Sequence, residues 1–152
     1  KLVRERVEAM KEIWTQTKPE YHGEFVNFDP MMTWPKPVQK PHPPILIGGA
    51  FPYSARRAIR YGDGWMPQLT EKMQTPFAQQ IPAFRQMAEE AGRDPETLSI
   101  SVWGRQPNME EIEGYEALGV ERVCTSLESA KEDEILPVLD RWAPLIERLK
   151  TR

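Results

Sequence analysis

The sequence predicts an α/β fold made of four parallel β/α units. Short apolar runs, each ending at glycine or a polar residue, alternate four times with stretches of helical period across residues 44–152. Alternation of this kind is typical of a parallel sheet with right-handed crossovers. The chain has 152 residues, of which 39% are hydrophobic, so it is long enough to bury one core. We therefore predict a single domain over residues 1–152.

The N-terminal part differs in pattern from the repeating units. Residues 1–16 predict an amphipathic helix, whose apolar stripe is Val3, Val7, Met10 and Trp14. Residues 20–44 predict a small hairpin, with Gly23 at its turn, and then an extended crossover. Six of the 15 prolines fall within residues 30–44, which excludes a helix or a central strand there.

Each of the four units has a strand, a turn and a helix. The strands are predicted at residues 44–49, 63–67, 98–103 and 120–127. Thr75 is the predicted N-cap of the second helix, and Asn108 with Glu111 predicts a capping box for the third. The last helix carries an apolar stripe at Ile135, Leu139, Trp142, Ile146 and Leu149. Periodicity alone fits either a small open sheet or half of a (β/α)8 barrel.

Composition narrows the class of protein. The net charge of −3 disfavours a nucleic-acid binder, and no apolar run approaches the roughly 20 residues that span a bilayer. The charged N-terminus lacks the apolar block of a signal peptide, so we expect a cytoplasmic protein. Cys124 is alone and lies in a predicted strand, where we expect a buried thiol. His22 and His42 do not have the spacing of metal ligands.

Gly48, Gly49 and Ala50 stand where the first predicted strand gives way to a helix. Glycine lets a backbone approach a ligand closely, and the free N–H groups of a helix start favour an anion. Ligands of parallel α/β folds lie at the carboxyl ends of strands. The alternative is that the two glycines merely form a tight turn.

Several other polar or aromatic residues follow strand ends. Ser54, Arg56 and Arg57 open the helix after the glycines, where they would bind a phosphate or form a solvated face. Trp103 ends the third strand, where it would either stack on a substrate or cover the core; we expect the core. Ser126 is a candidate polar contact at the end of the fourth strand.

One block of the chain resembles the luciferase-like monooxygenase superfamily, and within it the deazaflavin-dependent branch. The block is the proline series Pro35, Pro37, Pro41, Pro43 and Pro44 with Gln39, followed by Ile45, Ile47-Gly48-Gly49 and then Gly62-Asp63-Gly64-Trp65-Met66-Pro67. The segments Tyr21-His22-Gly23 with Phe25, and Glu89 to Pro95, are also similar to that family. The resemblance extends over essentially the whole chain.

The resemblance implies a TIM-like (β/α)8 barrel of which this chain supplies the last four strands. It also implies six cofactor-binding residues at two strand ends: Gly48, Gly49, Ala50, Gly64, Trp65 and Met66. The implied cofactor is the deazaflavin coenzyme F-420 (F420), with flavin mononucleotide (FMN) as the alternative. The implied reaction is hydride transfer or monooxygenation of a small-molecule substrate.

The family's first four strands have no counterpart here. In relatives those strands carry the usual acidic or histidine catalytic groups, so no catalytic residue is assigned and activity of this chain alone is left open. Half of a barrel exposes two sheet edges and an apolar face, which call for a partner. We expect a homo-oligomer or an N-terminal half-barrel to cover them. The alternative function is a non-catalytic half-barrel that serves as an assembly module.

Overall fold

A computed structural model describes residues 1–69, 75–105 and 108–150. The N-terminal helix α1 spans Leu2–Thr15, and the hairpin strands are β1 (Tyr21–His22) and β2 (Asn27–Phe28). The repeating part follows in the order β3 (Leu46–Gly49), α2 (Tyr53–Tyr61), β4 (Gly64–Pro67), α3 (Phe77–Glu90), β5 (Ser99–Arg105), α4 (Met109–Ala117), β6 (Arg122–Thr125) and α5 (Glu132–Lys150). A short 3₁₀ helix at Pro95–Thr97 precedes β5.

The four strands of the repeating part form one parallel sheet in the order β3-β4-β5-β6. Each strand pairs with the next along the chain, as right-handed β/α units require. The predicted α/β class and the four parallel units are therefore confirmed. Within the described ranges, β3 and β6 each have one paired side, so both edges of the sheet are open.

The two faces of the sheet differ in character. Ile47, Trp65, Ile100 and Val102 belong to the buried cluster that includes α2 and α3, so they face the helices. Because side chains alternate along a strand, their neighbours face the other way. We call that side the inner face; its described members are Leu46, Gly48, Gly64, Met66, Ser99, Ser101, Trp103, Arg122 and Cys124.

Most residues of the predicted apolar stripes of α2 and α3 are buried in the structure. Ala55, Ala58 and Ile59 are buried, as are Ile81 and Phe84. The capping box of α4 is present in full, with Asn108 and Glu111 each accepting from the other's backbone N–H. The predicted N-cap of α3 was one residue early: Pro76 caps the helix, and Thr75 contributes its carbonyl to the Gln80 side chain.

Two other predictions are corrected. The stripe of α1 is only partly covered: Val7 is buried, but Val3 and Met10 are exposed. Glu5 and Ala9 are buried instead; the hairpin covers Glu5 and binds its carboxylate through backbone N–H groups. Cys124 is half-buried rather than fully buried, since it lies on the inner face.

Glu5 holds the hairpin on α1. Its buried carboxylate accepts hydrogen bonds from the backbone N–H groups of Phe25 (2.7 Å) and Val26 (3.1 Å). A Cβ on Gly23 would collide with the Glu5 carboxylate and the Tyr21 ring, so these side chains would have to shift. The φ of Gly23 is not positive, contrary to the expectation for this turn. The hydrogen bond from Phe25 is the main reason that the pKa of Glu5 lies below its usual 4.5; the Val26 bond adds to it and burial opposes it.

The Glu5 contacts predict a pH dependence of stability. A carboxyl whose pKa is lowered in the folded state stabilises the fold above about pH 4.5, and this contribution is lost as the pH falls below that value. We expect Glu5→Gln to be less stable than wild type at pH 7 and to show a flatter loss of stability between neutral and acid pH. Urea unfolding at a series of pH values measures this, with Glu12→Gln on the same helix as the control. Parallel pH profiles for wild type and Glu5→Gln would contradict it.

Candidate cofactor site

The carboxyl end of β3 forms an open backbone surface, which we call the Gly48–Ala50 rim. Gly48 and Ala50 are exposed and Gly49 is half-buried. A Cβ on Gly48 would meet only the Met66 carbonyl, at the ordinary contact distance of 3.7 Å. Internal packing therefore does not require glycine at this position. The bare backbone leaves space on the inner face for a flat or bulky group to approach.

Gly49 gives the rim its shape. Its φ of +123° lies in a region that residues with a Cβ rarely adopt, so the chain can turn out of β3 only with glycine here. The Gly49 carbonyl accepts hydrogen bonds from the backbone N–H of Gln68 (3.1 Å) and from the Ser54 hydroxyl (2.8 Å). The rim is thus fixed to both β4 and α2.

Positive charge lies next to the rim. A Cβ on Gly49 would be 3.3 Å from Nη2 of Arg57, and the Arg57 Nε donates to the Tyr53 carbonyl at 3.3 Å. The same rim precedes the N-terminus of the nine-residue helix α2, whose dipole favours an anion, although the Ser54 N–H of the first turn already donates to the Ala50 carbonyl at 3.0 Å. Arg56, in contrast, lines a separate groove between α2 and α3. Both arginines are exposed, as the solvated-face alternative requires, but of the two it is Arg57 that flanks the rim.

Ser54 and Trp65 support the rim from below. Trp65 is fully buried between Phe51 and Phe84, and its Nε1–H donates to Ser54 Oγ at 2.9 Å. The Ser54 hydroxyl also lies 2.8 and 3.0 Å from the carbonyl oxygens of Gly49 and Ala50. Its hydrogen-bonding capacity is used inside the protein, so it does not serve as the phosphate ligand that the sequence suggested. The Trp65 side chain is closed off from the inner face.

Gly64 and Met66, the other two predicted cofactor residues of β4, lie at different positions along the strand. Gly64 is buried at the amino end of the sheet, in register with Leu46, where a Cβ would collide with the Ser99 hydroxyl. Met66 is half-buried and in register with Gly48, on the inner face. Of the six predicted cofactor residues, the structure brings together Gly48, Gly49, Ala50 and Met66. It separates Gly64 and the Trp65 side chain from them.

The remaining candidates have varied surroundings. Trp103 is 60% exposed on the inner face, so the expectation that it covers the core was wrong for the described chain. Ser126 is exposed after β6. His42 packs against Trp14 near the amino end of β3, with Nδ1 2.9 Å from the Pro43 carbonyl, while His22 is exposed on the hairpin. In the described ranges, no group of three or more histidine, cysteine or acidic side chains could hold a metal ion.

The family follows from comparison with known proteins. The family model described as luciferase-like monooxygenase matches residues 1–108. The chain belongs to this family. In the described part of the chain, no helix has both the length and the apolar character needed to cross a bilayer.

Individual relatives add detail. An uncharacterized protein of Mycobacterium tuberculosis is 33% identical over an alignment of 149 residues that covers 93% of this chain and 49% of that protein. An F420-dependent hydroxymycolic acid dehydrogenase of the same species is 32% identical over 62% of this chain and 25% of its own length. An FMNH(2)-dependent dimethylsulfone monooxygenase of Pseudomonas putida is 41% identical over 59 residues, an alignment that covers 39% of this chain and 16% of that protein. The chain spans about half the length of the first of these relatives.

A solved structure agrees on the fold. An F420-dependent secondary alcohol dehydrogenase in complex with an F420-acetone adduct superposes with a TM-score of 0.63 at 16% identity, covering 90% of this chain and 60% of that one. At this level of identity the comparison concerns the fold alone. It supports the interpretation of the four-stranded sheet as part of a TIM-like barrel.

Proposed function

We propose that this chain is the cofactor-binding C-terminal half of a barrel oxidoreductase that uses F420, with FMN as the alternative cofactor. The observation that carries the proposal is the Gly48–Ala50 rim, a bare backbone surface at the carboxyl end of a parallel strand with Arg57 beside it. Relatives that are named for F420 and for FMNH(2) support both cofactor classes. When bound, the cofactor would supply hydride transfer or oxygen chemistry to a small-molecule substrate.

The chain's own residues would bind and orient. Gly48 and Gly49 would allow the ring or its linker to lie against the backbone, and Met66 would pack beside it. Arg57 and the N-terminus of α2 would hold a phosphate of the cofactor's tail. Ser54 would keep the rim in shape through the carbonyls of Gly49 and Ala50.

We further propose that an N-terminal half-barrel covers the open face and edges. Four large apolar side chains of α5 are 40–51% exposed: Leu136, Leu139, Ile146 and Leu149. A mostly apolar groove of about 380 Å³ between α4, β6 and α5 adjoins them, lined by Tyr115, Val123 and Trp142 among others. This exposed apolar surface supports the proposal of an interface at α5 and the edge strand β6. The Mycobacterium tuberculosis relative is about twice as long as the part that this chain matches. This length favours an N-terminal half-barrel, instead of a second copy of the chain, as the partner that covers this surface.

Titration tests the cofactor proposal. We expect saturable binding of F420 or FMN to the chain, measured by the cofactor's own fluorescence. Gly48→Val would obstruct the rim, and Arg57→Gln would remove a charge-assisted hydrogen bond, so each should weaken binding about tenfold or more, or about 1.4 kcal/mol. Arg56→Gln, one residue away but outside the rim, is the matched control and should bind as wild type does.

Two results would count against the proposal. If neither F420 nor FMN binds, in samples whose circular dichroism shows a folded chain, the non-catalytic assembly module is favoured. Equal losses in Arg56→Gln and Arg57→Gln would show a non-specific charge effect instead of a site. Light scattering of the same samples measures the oligomeric state. A dimer would favour a second copy of the chain, instead of an N-terminal half-barrel, as the partner on the open face.

A further inference from the structure

One buried polar group on the inner face has no hydrogen-bond partner among the residues that the structure describes. Ser101 lies in the middle of β5 and is 1% exposed, yet within the described residues its hydroxyl makes no hydrogen bond. A buried hydroxyl left unpaired is destabilising, so such groups are rare in native structures and each needs an explanation. The Oγ atom therefore indicates a place where a hydrogen-bond acceptor or donor belongs.

A cation stands next to this hydroxyl. Arg122, the first residue of β6, is in register with Ser101 and so shares the inner face with it. Arg122 is exposed and also borders the groove between α4, β6 and α5, and no described residue forms a hydrogen bond or an ion pair with its guanidinium. An arginine presents a planar fork of donors that matches carboxylate and phosphate oxygens. The strand register therefore places a hydroxyl and a guanidinium side by side on neighbouring strands of the inner face.

An aromatic surface lies one step further toward the carboxyl end of the sheet. Trp103 follows Ser101 on the same face of β5 and is 60% exposed. The pairing of β5 with β6 changes register just after it. On the other side of Ser101, Met66 and Gly48 belong to the same level of the sheet and leave open space above Gly48. A planar ligand held by Arg122 could therefore stack on Trp103.

We propose that Ser101, Arg122 and Trp103 form a subsite for an organic anion that joins an oxyanion group to a planar apolar portion. Arg122 and the Ser101 hydroxyl bind the oxyanion, and Trp103 covers the planar part. This inference deepens the proposed function and rests on it, because the subsite lies on the same inner face as the Gly48–Ala50 rim. It names the chemical class of the molecule that would meet the cofactor there.

Nuclear magnetic resonance titration of the chain tests the subsite, with benzoate, acetate and inorganic phosphate as probes. Benzoate should give saturable shifts at the amides of β5 and β6 and at the Trp103 indole N–H. Acetate and phosphate, which lack the ring, should bind several-fold more weakly. Arg122→Gln should weaken benzoate binding about tenfold or more, which is the scale of one charge-assisted contact. Arg60→Gln, an exposed arginine on α2, is the matched control and should leave binding unchanged.

Ser101→Ala supplies an independent measurement. Because the hydroxyl has no described partner, its removal should leave the thermal unfolding temperature unchanged or raise it, while benzoate binding weakens several-fold. A large drop in that temperature would show a structural hydroxyl and overturn the subsite. So would the absence of shifts at about 50 mM benzoate, far above a millimolar dissociation constant, or equal binding by Arg122→Gln. Cofactor titration of the unsubstituted chain separates the two proposals, since absence of benzoate binding together with saturable cofactor binding overturns the subsite alone.

Discussion

Trp65→Ala should lower the free energy of unfolding by about 3–5 kcal/mol, the usual cost of truncating a fully buried tryptophan. The Trp65 ring is completely buried and packs on Phe84 with ring centroids 4.8 Å apart. Truncation would leave a cavity between the sheet and two helices. It would also remove the donor to Ser54, which holds the Gly48–Ala50 rim. Urea unfolding followed by circular dichroism measures the loss.

The variant Trp65→Phe separates packing from hydrogen bonding. It keeps an aromatic ring but removes the Nε1–H donor, so we expect a smaller loss of about 1–3 kcal/mol. Cofactor binding should weaken in Trp65→Phe even where the fold is retained, because Ser54 loses one of its fixed contacts. A loss below about 1 kcal/mol for Trp65→Ala would contradict the central position of this side chain in the core.

Gly64→Ala should destabilise the fold by about 1–3 kcal/mol, the typical effect of overpacking a closed site. The added Cβ would collide with the Ser99 hydroxyl and would lie 2.6 Å from Leu46 Cδ2 and 2.7 Å from the Ser99 carbonyl oxygen. The backbone oxygen cannot move without disturbing the pairing of β4 with β5. Thermal and urea unfolding measure the effect.

Gly114→Ala is the matched control for Gly64→Ala. Gly114 lies inside α4, and a Cβ there would have no atom within 4 Å. Alanine in place of an exposed helical glycine should stabilise the chain by about 0.5–1 kcal/mol. The same substitution is thus expected to have opposite signs at the two positions. Destabilisation by Gly114→Ala, or neutrality of Gly64→Ala, would contradict the packing described for the corresponding position.

Most of the architecture follows from local sequence signals. The periodicity of α2 and α3, the apolar run before Gly48 and the capping box of Asn108 and Glu111 are all short-range features. The stripe of α1 was less informative, since the hairpin that covers Glu5 comes from a distant segment. Only this contact explains why Glu5 is buried in α1 while Val3 of the same helix is exposed.

The candidate site divides in the same way. The motif around Gly48 and Gly49 was readable because a strand end, glycine and a helix start adjoin in the chain. Arg57, beside Gly49, could not be told from Arg56 by spacing, since both lie on the first turns of α2. Arg122 and Ser101 carried no local signal at all; they become neighbours only through the pairing of β5 with β6.

The sequence by itself determined the order of the β/α units and the glycine turn at Gly48–Ala50, because strand and helix periods and turn chemistry act over a few residues. Tertiary structure decided which side chains of that block are available to a ligand. The Trp65 side chain faces the helices, and Gly64 lies at the closed amino end of the sheet, while Met66 shares the inner face with Gly48. Sheet register sets these assignments, since a shift of one residue moves every side chain to the other face.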